Sequence, residues 1–141
     1  MIAPRLATMT PVLVTIPISH YCEKARWALD RAGVEYVEEP HPPFLHMRVT
    51  RRGGGRSTPQ LRLPDRTLVD SRDIVRWVER ERPTGLFPER DRAALEAFEK
   101  HCDDSFGPAV RRYAYHHMLD RFALVEPMLT HQWFVATTKP G

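Results

Sequence analysis

Two side chains able to do chemistry, Ser19 and Cys22, stand three residues apart in Ser19-His-Tyr-Cys22. A hydroxyl can donate a hydrogen bond to an anion, and a thiol becomes a nucleophile once ionised. A second polar pair, Asp70-Ser71, stands just before Ile74, Val75, Trp77 and Val78. Asp and Ser at such a point cap a helix, and they also offer a carboxylate and a hydroxyl to a ligand. Between these pairs lies Arg56-Ser-Thr58-Pro59. Each residue has a plainer reading beside the chemical one. Ser19 and Asp70-Ser71 can be caps alone, Cys22 a small packed core residue, Tyr21 a packing residue and Pro59 an ordinary edge-strand proline.

The elements that must position these residues follow from periodicity. Val12 to Ile16 is a short apolar, β-rich run, and Pro17 ends it by removing a ladder donor. After Tyr21, Ala25, Ala28, Leu29 and Ala32 recur three and four apart with charges between them, the period of an amphipathic helix. Gly33 suits the left-handed position that closes such a helix. Ser19 and Cys22 therefore fall where a buried strand hands over to a helix N-terminus. Free N–H groups and the positive end of the dipole favour an anion or a thiolate there.

Val34 to Glu38 alternates as a second strand, and a crossover helix makes it parallel to the first. Pro40, Pro42 and Pro43 break regular structure. Phe44 to Arg52 can carry one irregular helix, and Gly53-Gly-Gly55 reads as a flexible connector. Gln60 to Leu63 and Thr67 to Val69 form a hairpin around Pro64-Asp65-Arg66, and a helix starts after Asp70. The order is βαβ, a loop or helix, then ββα: an α/β layer of about four strands complete by residue 82.

The expected organisation is a leader at 1–10, an α/β domain at 11–82, a linker at 83–88 and a helical region at 89–141. In that last region Ala93, Leu95, Phe98, Val110, Tyr113 and Met118 recur among charges, Gly107-Pro108 should kink or break the helix, and the chain from Thr130 onward is expected to fray.

Composition narrows the classes. The 141 residues are 42% hydrophobic and 28% charged, as in soluble globular proteins. No apolar run approaches the roughly 18 residues of a membrane span, and nothing reads as a signal peptide. Two cysteines cannot make a disulfide framework, which points to a reducing cytoplasm. The net charge of +3 comes from 21 basic and 18 acidic residues interspersed, a solvated surface and not a nucleic-acid footprint. The seven histidines show no metal-ligand spacing, and the glycine run lacks the Lys-Ser/Thr ending of a phosphate loop.

Three segments in order, Ser19-His-Tyr-Cys22-Glu-Lys-Ala-Arg26, Ser57-Thr58-Pro59-Gln-Leu61 and Leu68-Val-Asp70-Ser71-Arg-Asp-Ile74, carry a resemblance over roughly residues 11–120. On this frame the chain resembles the glutathione transferase superfamily, with a thioredoxin-like N-terminal domain and a truncated all-helical C-terminal domain. The resemblance implies a cytoplasmic detoxification enzyme that binds glutathione as co-substrate and directs its thiolate at an apolar electrophile. It implies Ser19 facing the glutathione sulfur, with Cys22 the alternative, at the second position of the related Cys-x-x-Cys motif. Thr58, before an expected cis Pro59, would pair with the cysteinyl backbone. Asp70 and Ser71 would hold the γ-glutamyl end, and Arg56 would stand near the basic residue preceding the proline. The alternatives are a thiol–disulfide oxidoreductase using Cys22 and a non-catalytic glutathione-binding or interaction module. The helical part is short for the family, so the apolar faces around Phe98, Phe106, Tyr113 and Leu119 would need a second subunit, such as a homodimer partner, to cover them.

Overall fold

The computed structural model describes residues 9–43, 45–121, 123, 125–126 and 137–139. Its elements are β1 (Val12–Thr15), α1 (His20–Arg31), β2 (Tyr36–Pro40), α2 (His46–Thr50), β3 (Gln60–Arg62), β4 (Thr67–Leu68), α3 (Ser71–Glu81), α4 (Arg92–His101), α5 (Gly107–Leu119) and β5 (Thr137–Lys139). The βαβ–α–ββα order expected from the sequence is the order found.

Strand β1 is central. It pairs parallel with β2 and antiparallel with β3, giving the sheet order β4-β3-β1-β2-β5. The two periodicities meet on one face. Leu13 of β1, Tyr36 of β2 and Leu61 of β3 are fully buried against Ala25, Leu29 and Ile74 of the two helices. Helix α1 ends as Gly33 predicts: its φ is 60°, its N–H reaches the Asp30 carbonyl, and the Val34 N–H reaches that of Leu29. The opposite face carries Val14 and Gln60, and the Gln60 amide donates to the Thr50 carbonyl at 3.1 Å.

That amide corrects one expectation. Gly53-Gly-Gly55 is a packed turn against Gln60, not a flexible connector. A Cβ on Gly53 would collide with the Gln60 side-chain oxygen, and one on Gly55 would stand 2.9 Å from its nitrogen. Gly54, with φ at 90°, makes the turn between them.

The tail is a second correction. Thr137–Lys139 is not frayed but pairs antiparallel with Tyr36–Glu38, so β5 makes a fifth strand on the outer edge of β2. The rest of the expected tail, and the leader up to residue 8, lie outside the described residues.

At Gly107-Pro108 the helix is neither stopped nor left as a regular ladder. Residues Cys102–Phe106 form a π-helical turn joining α4 to α5. This helical stretch meets α1 and α3 largely through ion pairs. Lys24 contacts Glu99 at 2.8 Å and Asp103 at 3.3 Å, Arg76 contacts Glu99 at 2.6 Å, and Arg72 contacts Asp103 at 3.1 Å. Phe98, Phe106, Tyr113 and Leu119 remain exposed.

Behind the turn from β1 into α1 lies a nearly buried ion pair. The Arg26 Nε and Nη2 both lie 2.8 Å from Oε1 of Glu38, which also accepts from the Thr15 hydroxyl at 2.8 Å. The same guanidinium reaches Glu23 at 2.8 Å and the Pro17 carbonyl at 3.5 Å. A partnered charge of this kind is costly to leave single. Arg26→Ala should lower unfolding free energy by about 3–5 kcal/mol in denaturant titration, whereas Arg26→Met combined with Glu38→Leu should recover much of it.

Candidate functional site

The turn from β1 into α1 is built by its own backbone. The Ser19 N–H donates to the Ile16 carbonyl at 3.0 Å, and Ser19 becomes the N-cap of α1, its Oγ accepting from the Cys22 N–H at 3.4 Å. The oxygen is the acceptor in this cap, and the same hydroxyl also lies within hydrogen-bond reach of the Cys22 sulfur.

Ser19 lines a cleft of about 420 Å³ that also takes in Arg56, Thr58 and residues of α5. The Thr58–Pro59 peptide is cis. Thr58 also lines an adjoining cleft of about 240 Å³, which contains Pro59, Asp70 and Ser71. Asp70 is the N-cap of α3, with Oδ1 accepting from the Arg72 N–H at 2.8 Å. The site residues expected from sequence thus border two joined clefts, Ser19 and Arg56 in the larger and Pro59, Asp70 and Ser71 in the smaller.

Cys22 is different. It is fully buried, its Sγ accepts from the Ile16 N–H at 3.4 Å, and burial pushes its thiol above the usual value. A thiol in that state is neutral at neutral pH and out of contact with solvent.

The sequence reads Tyr21 as a packing residue and assigns Arg111 and His20 no role in the site. Tyr21 and Arg111 line both clefts. His20, beside Ser19, is held below the usual imidazole value by burial and then by the Arg111 guanidinium, so it is neutral at pH 7. The helical face carrying Arg111 comes from distant sequence, and its spacing alone marks only a polar helix surface.

Tyr21 has a structural task that its neighbours dictate. The Gly107 N–H bonds to the Cys102 carbonyl in the π turn, so the Asp103 carbonyl loses its ordinary helical donor. The next candidate donor would be residue 108, a proline without an N–H. The Tyr21 hydroxyl, held protonated chiefly by desolvation, donates to that carbonyl at 3.1 Å. Gly107 makes the approach possible, since a Cβ there would stand 2.5 Å from the Tyr21 oxygen.

Among the described residues no cluster of three His, Cys, Asp or Glu side chains could hold a metal ion. No described helix is long and apolar enough to cross a membrane.

The family profile described as glutathione S-transferase, N-terminal domain, matches residues 13–86, just over half of the chain. The chain belongs to that family. Among solved structures it is similar to a Tau class glutathione S-transferase from mango, with 19% identity and a TM-score of 0.66 over 72% of this chain and 49% of that one. It is also similar to glutathione S-transferase-I bound with lactoylglutathione (18%, TM-score 0.65, covering 76% and 55%). A third likeness is to glutathione transferase Omega 2S from Trametes versicolor (25%, TM-score 0.55, covering 70% and 48%). The chain spans about half the length of these structures. Among curated proteins nothing matches.

Two outcomes follow from the geometry. Tyr21→Phe should cost about 1–3 kcal/mol by stranding the Asp103 carbonyl, and Gly107→Ala about 1–3 kcal/mol by overpacking. The double variant should cost less than the two together, because removing the hydroxyl vacates the space the new methyl needs; thermal unfolding of the four proteins measures this. An alkylating reagent at neutral pH should modify the half-buried Cys102 in the folded protein and reach Cys22 only in denaturant, as peptide mapping would reveal.

Proposed function

We propose that this member of the glutathione S-transferase family binds glutathione across the two joined clefts and uses Ser19 to stabilise its thiolate. The observation that carries the reading is the shared position of Thr58, which borders both the Ser19 cleft and the Asp70–Ser71 cleft. An extended tripeptide needs such a path. Its γ-glutamyl ammonium suits the Asp70 carboxylate, its γ-glutamyl carboxylate suits Ser71 and the N–H groups starting α3, and its cysteinyl backbone suits Thr58. Arg56, beside Thr58, supplies a further cation for the peptide. Residues 11–82 hold glutathione in this reading, 83–88 link, and the helices between Arg92 and Leu119 supply part of a helical domain, while Thr137–Lys139 belongs to the sheet.

The chemistry asked of Ser19 is modest. A free thiol with a pKa near 8.5 is only about 3% ionised at pH 7. Lowering that value by two units takes about 2.7 kcal/mol, within reach of one charge-assisted hydrogen bond with help from the helix dipole. The thiolate then attacks an electrophilic carbon of an apolar second substrate. A sulfur–carbon bond forms while a leaving group departs with its electron pair, or, in addition to a conjugated double bond, the adjacent carbon takes a proton.

The buried, hydrogen-bonded and neutral Cys22 supports Ser19 over a Cys22-centred thiol–disulfide reaction. A non-catalytic glutathione-binding module would use the same clefts without turnover. A second copy covering the exposed Phe98, Phe106 and Tyr113, and a reducing cytoplasmic setting that keeps glutathione as thiol, complete the proposal.

Calorimetric titration with glutathione tests binding, and ultraviolet thiolate absorbance of the complex against pH tests activation. Wild type should bind saturably. Asp70→Asn, which keeps a capping side chain but removes the charge, should weaken binding by about fivefold. Ser19→Ala should bind glutathione nearly as well while the bound thiol's pKa returns about two units toward 8.5. The absence of saturable heat at millimolar glutathione would sink the proposal.

A further inference from the structure

One face of the second helix gathers like charges. Helix α2 runs without a break into the 3₁₀ turn Arg51–Gly53, with Leu45, Thr50 and Arg51 all in right-handed helical conformation. At helical spacing Leu45, Arg48, Arg51 and Arg52 fall on one side, and Met47 and Thr50 on the other. Exposure follows that division: the first four are exposed, Thr50 is buried and Met47 half-buried. Arg48, Arg51 and Arg52 make no ion pair among the described residues. The sequence from His41 to Pro64 contains no Asp or Glu to supply one locally.

Like charges three and four residues apart repel and weaken a helix. These three are held together all the same. Gly53 and Gly55 are packed against Gln60, and the Gln60 amide ties to the Thr50 carbonyl, so the backbone beneath the arginines is fixed. The other arginines of the segment are differently placed, Arg56 in the larger cleft and Arg62 paired with Glu39. Leu45 and the three arginines lie outside both clefts of the site. The outer side of a helix is convex, which suits an extended surface and not a small ion gripped from several sides.

We infer that this face docks the protein on an anionic lipid bilayer, with Arg48, Arg51 and Arg52 on the headgroups and Leu45 entering the acyl boundary. This is attachment to a surface, not a span, and it stands independently of the proposed reaction. Guanidinium groups match phosphate and carboxylate oxygens with paired donors and give up little solvation to do so. Each arginine near an anionic leaflet strengthens attachment about fivefold, so three give roughly a hundredfold. Leu45 decides between surfaces. A nucleic-acid backbone would satisfy the arginines but offer an aliphatic side chain nothing to bury in, whereas the acyl boundary does. His46, on the inner side of the helix, lines the larger cleft, so docking through the outer side leaves that cleft clear.

The test sediments the full chain with phosphatidylcholine vesicles, either pure or containing about 30% phosphatidylserine. Folding of each variant is checked by circular dichroism. Wild type should attach to the anionic vesicles roughly a hundredfold more strongly than to the neutral ones, and the preference should shrink with added salt. Arg48→Ala, Arg51→Ala and Arg52→Ala should each weaken attachment about fivefold, and the triple variant should lose the preference. Leu45→Ala should weaken it about fivefold as well, through lost apolar burial. Arg112→Ala, which removes the same charge from α5, should change it by less than about twofold. Equal attachment to both vesicles would overturn the inference, as would a loss with Arg112→Ala as large as with Arg51→Ala. Attachment indifferent to Leu45→Ala, together with tight binding of a duplex DNA probe, would replace the bilayer with a polyanion. Displacement by inorganic phosphate beyond that by chloride at equal ionic strength would mark a free-phosphate site and overturn it too.

Discussion

The turn that presents Ser19 depends on a charge pair placed behind it. Arg26 from α1 and Glu38 from β2 meet where the sheet, the helix and the connecting loop converge, with Thr15 of β1 completing the contacts to the carboxylate. Such a pair contributes little net stability compared with an apolar substitute, but it tolerates only one arrangement of its three supports. Its reach to the Pro17 carbonyl carries that rigidity into the loop. In the proposed function a hydroxyl that steadies a charge gains from being held, because reorientation at the moment of need would offset the hydrogen bond it offers.

Much of this was legible in the sequence. Alternation in Tyr36–Glu38, three-and-four spacing in Ala25–Leu29 and the glycine at 33 state their local structure directly, and the parallel pairing of β1 with β2 follows from the helix between them. Ser19 and Asp70 were legible as caps for the same reason: their role is set by neighbours within four residues. Arg111 and Asp103 were not, because their meaning arises only when a distant helix folds back over the clefts. The glycine run misled because a short polar connector and a tight packed turn share a composition. What distinguishes them is the buried Gln60, whose partner lies ten residues away in sequence.

The helical stretch joins the sheet layer through charge more than through apolar contact. Glu99 and Asp103 gather Lys24, Arg72 and Arg76, and Arg76 also stacks over Phe87 at 3.8 Å. A neutral tether, Tyr21 to the Asp103 carbonyl, exists because a proline follows a wide helical turn. A local irregularity in the backbone is thus turned into a long-range contact. It also brings Arg111 of α5 to the edge of the space beside Ser19.

The strand at Thr137–Lys139 has a consequence for how copies of the chain behave together. A sheet rim filled by a segment from nearly a hundred residues further along can be filled equally well by the same segment of a neighbouring copy, since backbone groups do not distinguish one chain from another. Concentrated protein therefore has an exchange route to intertwined assemblies, and a polypeptide shortened before this strand would offer the bare rim as a template for self-association.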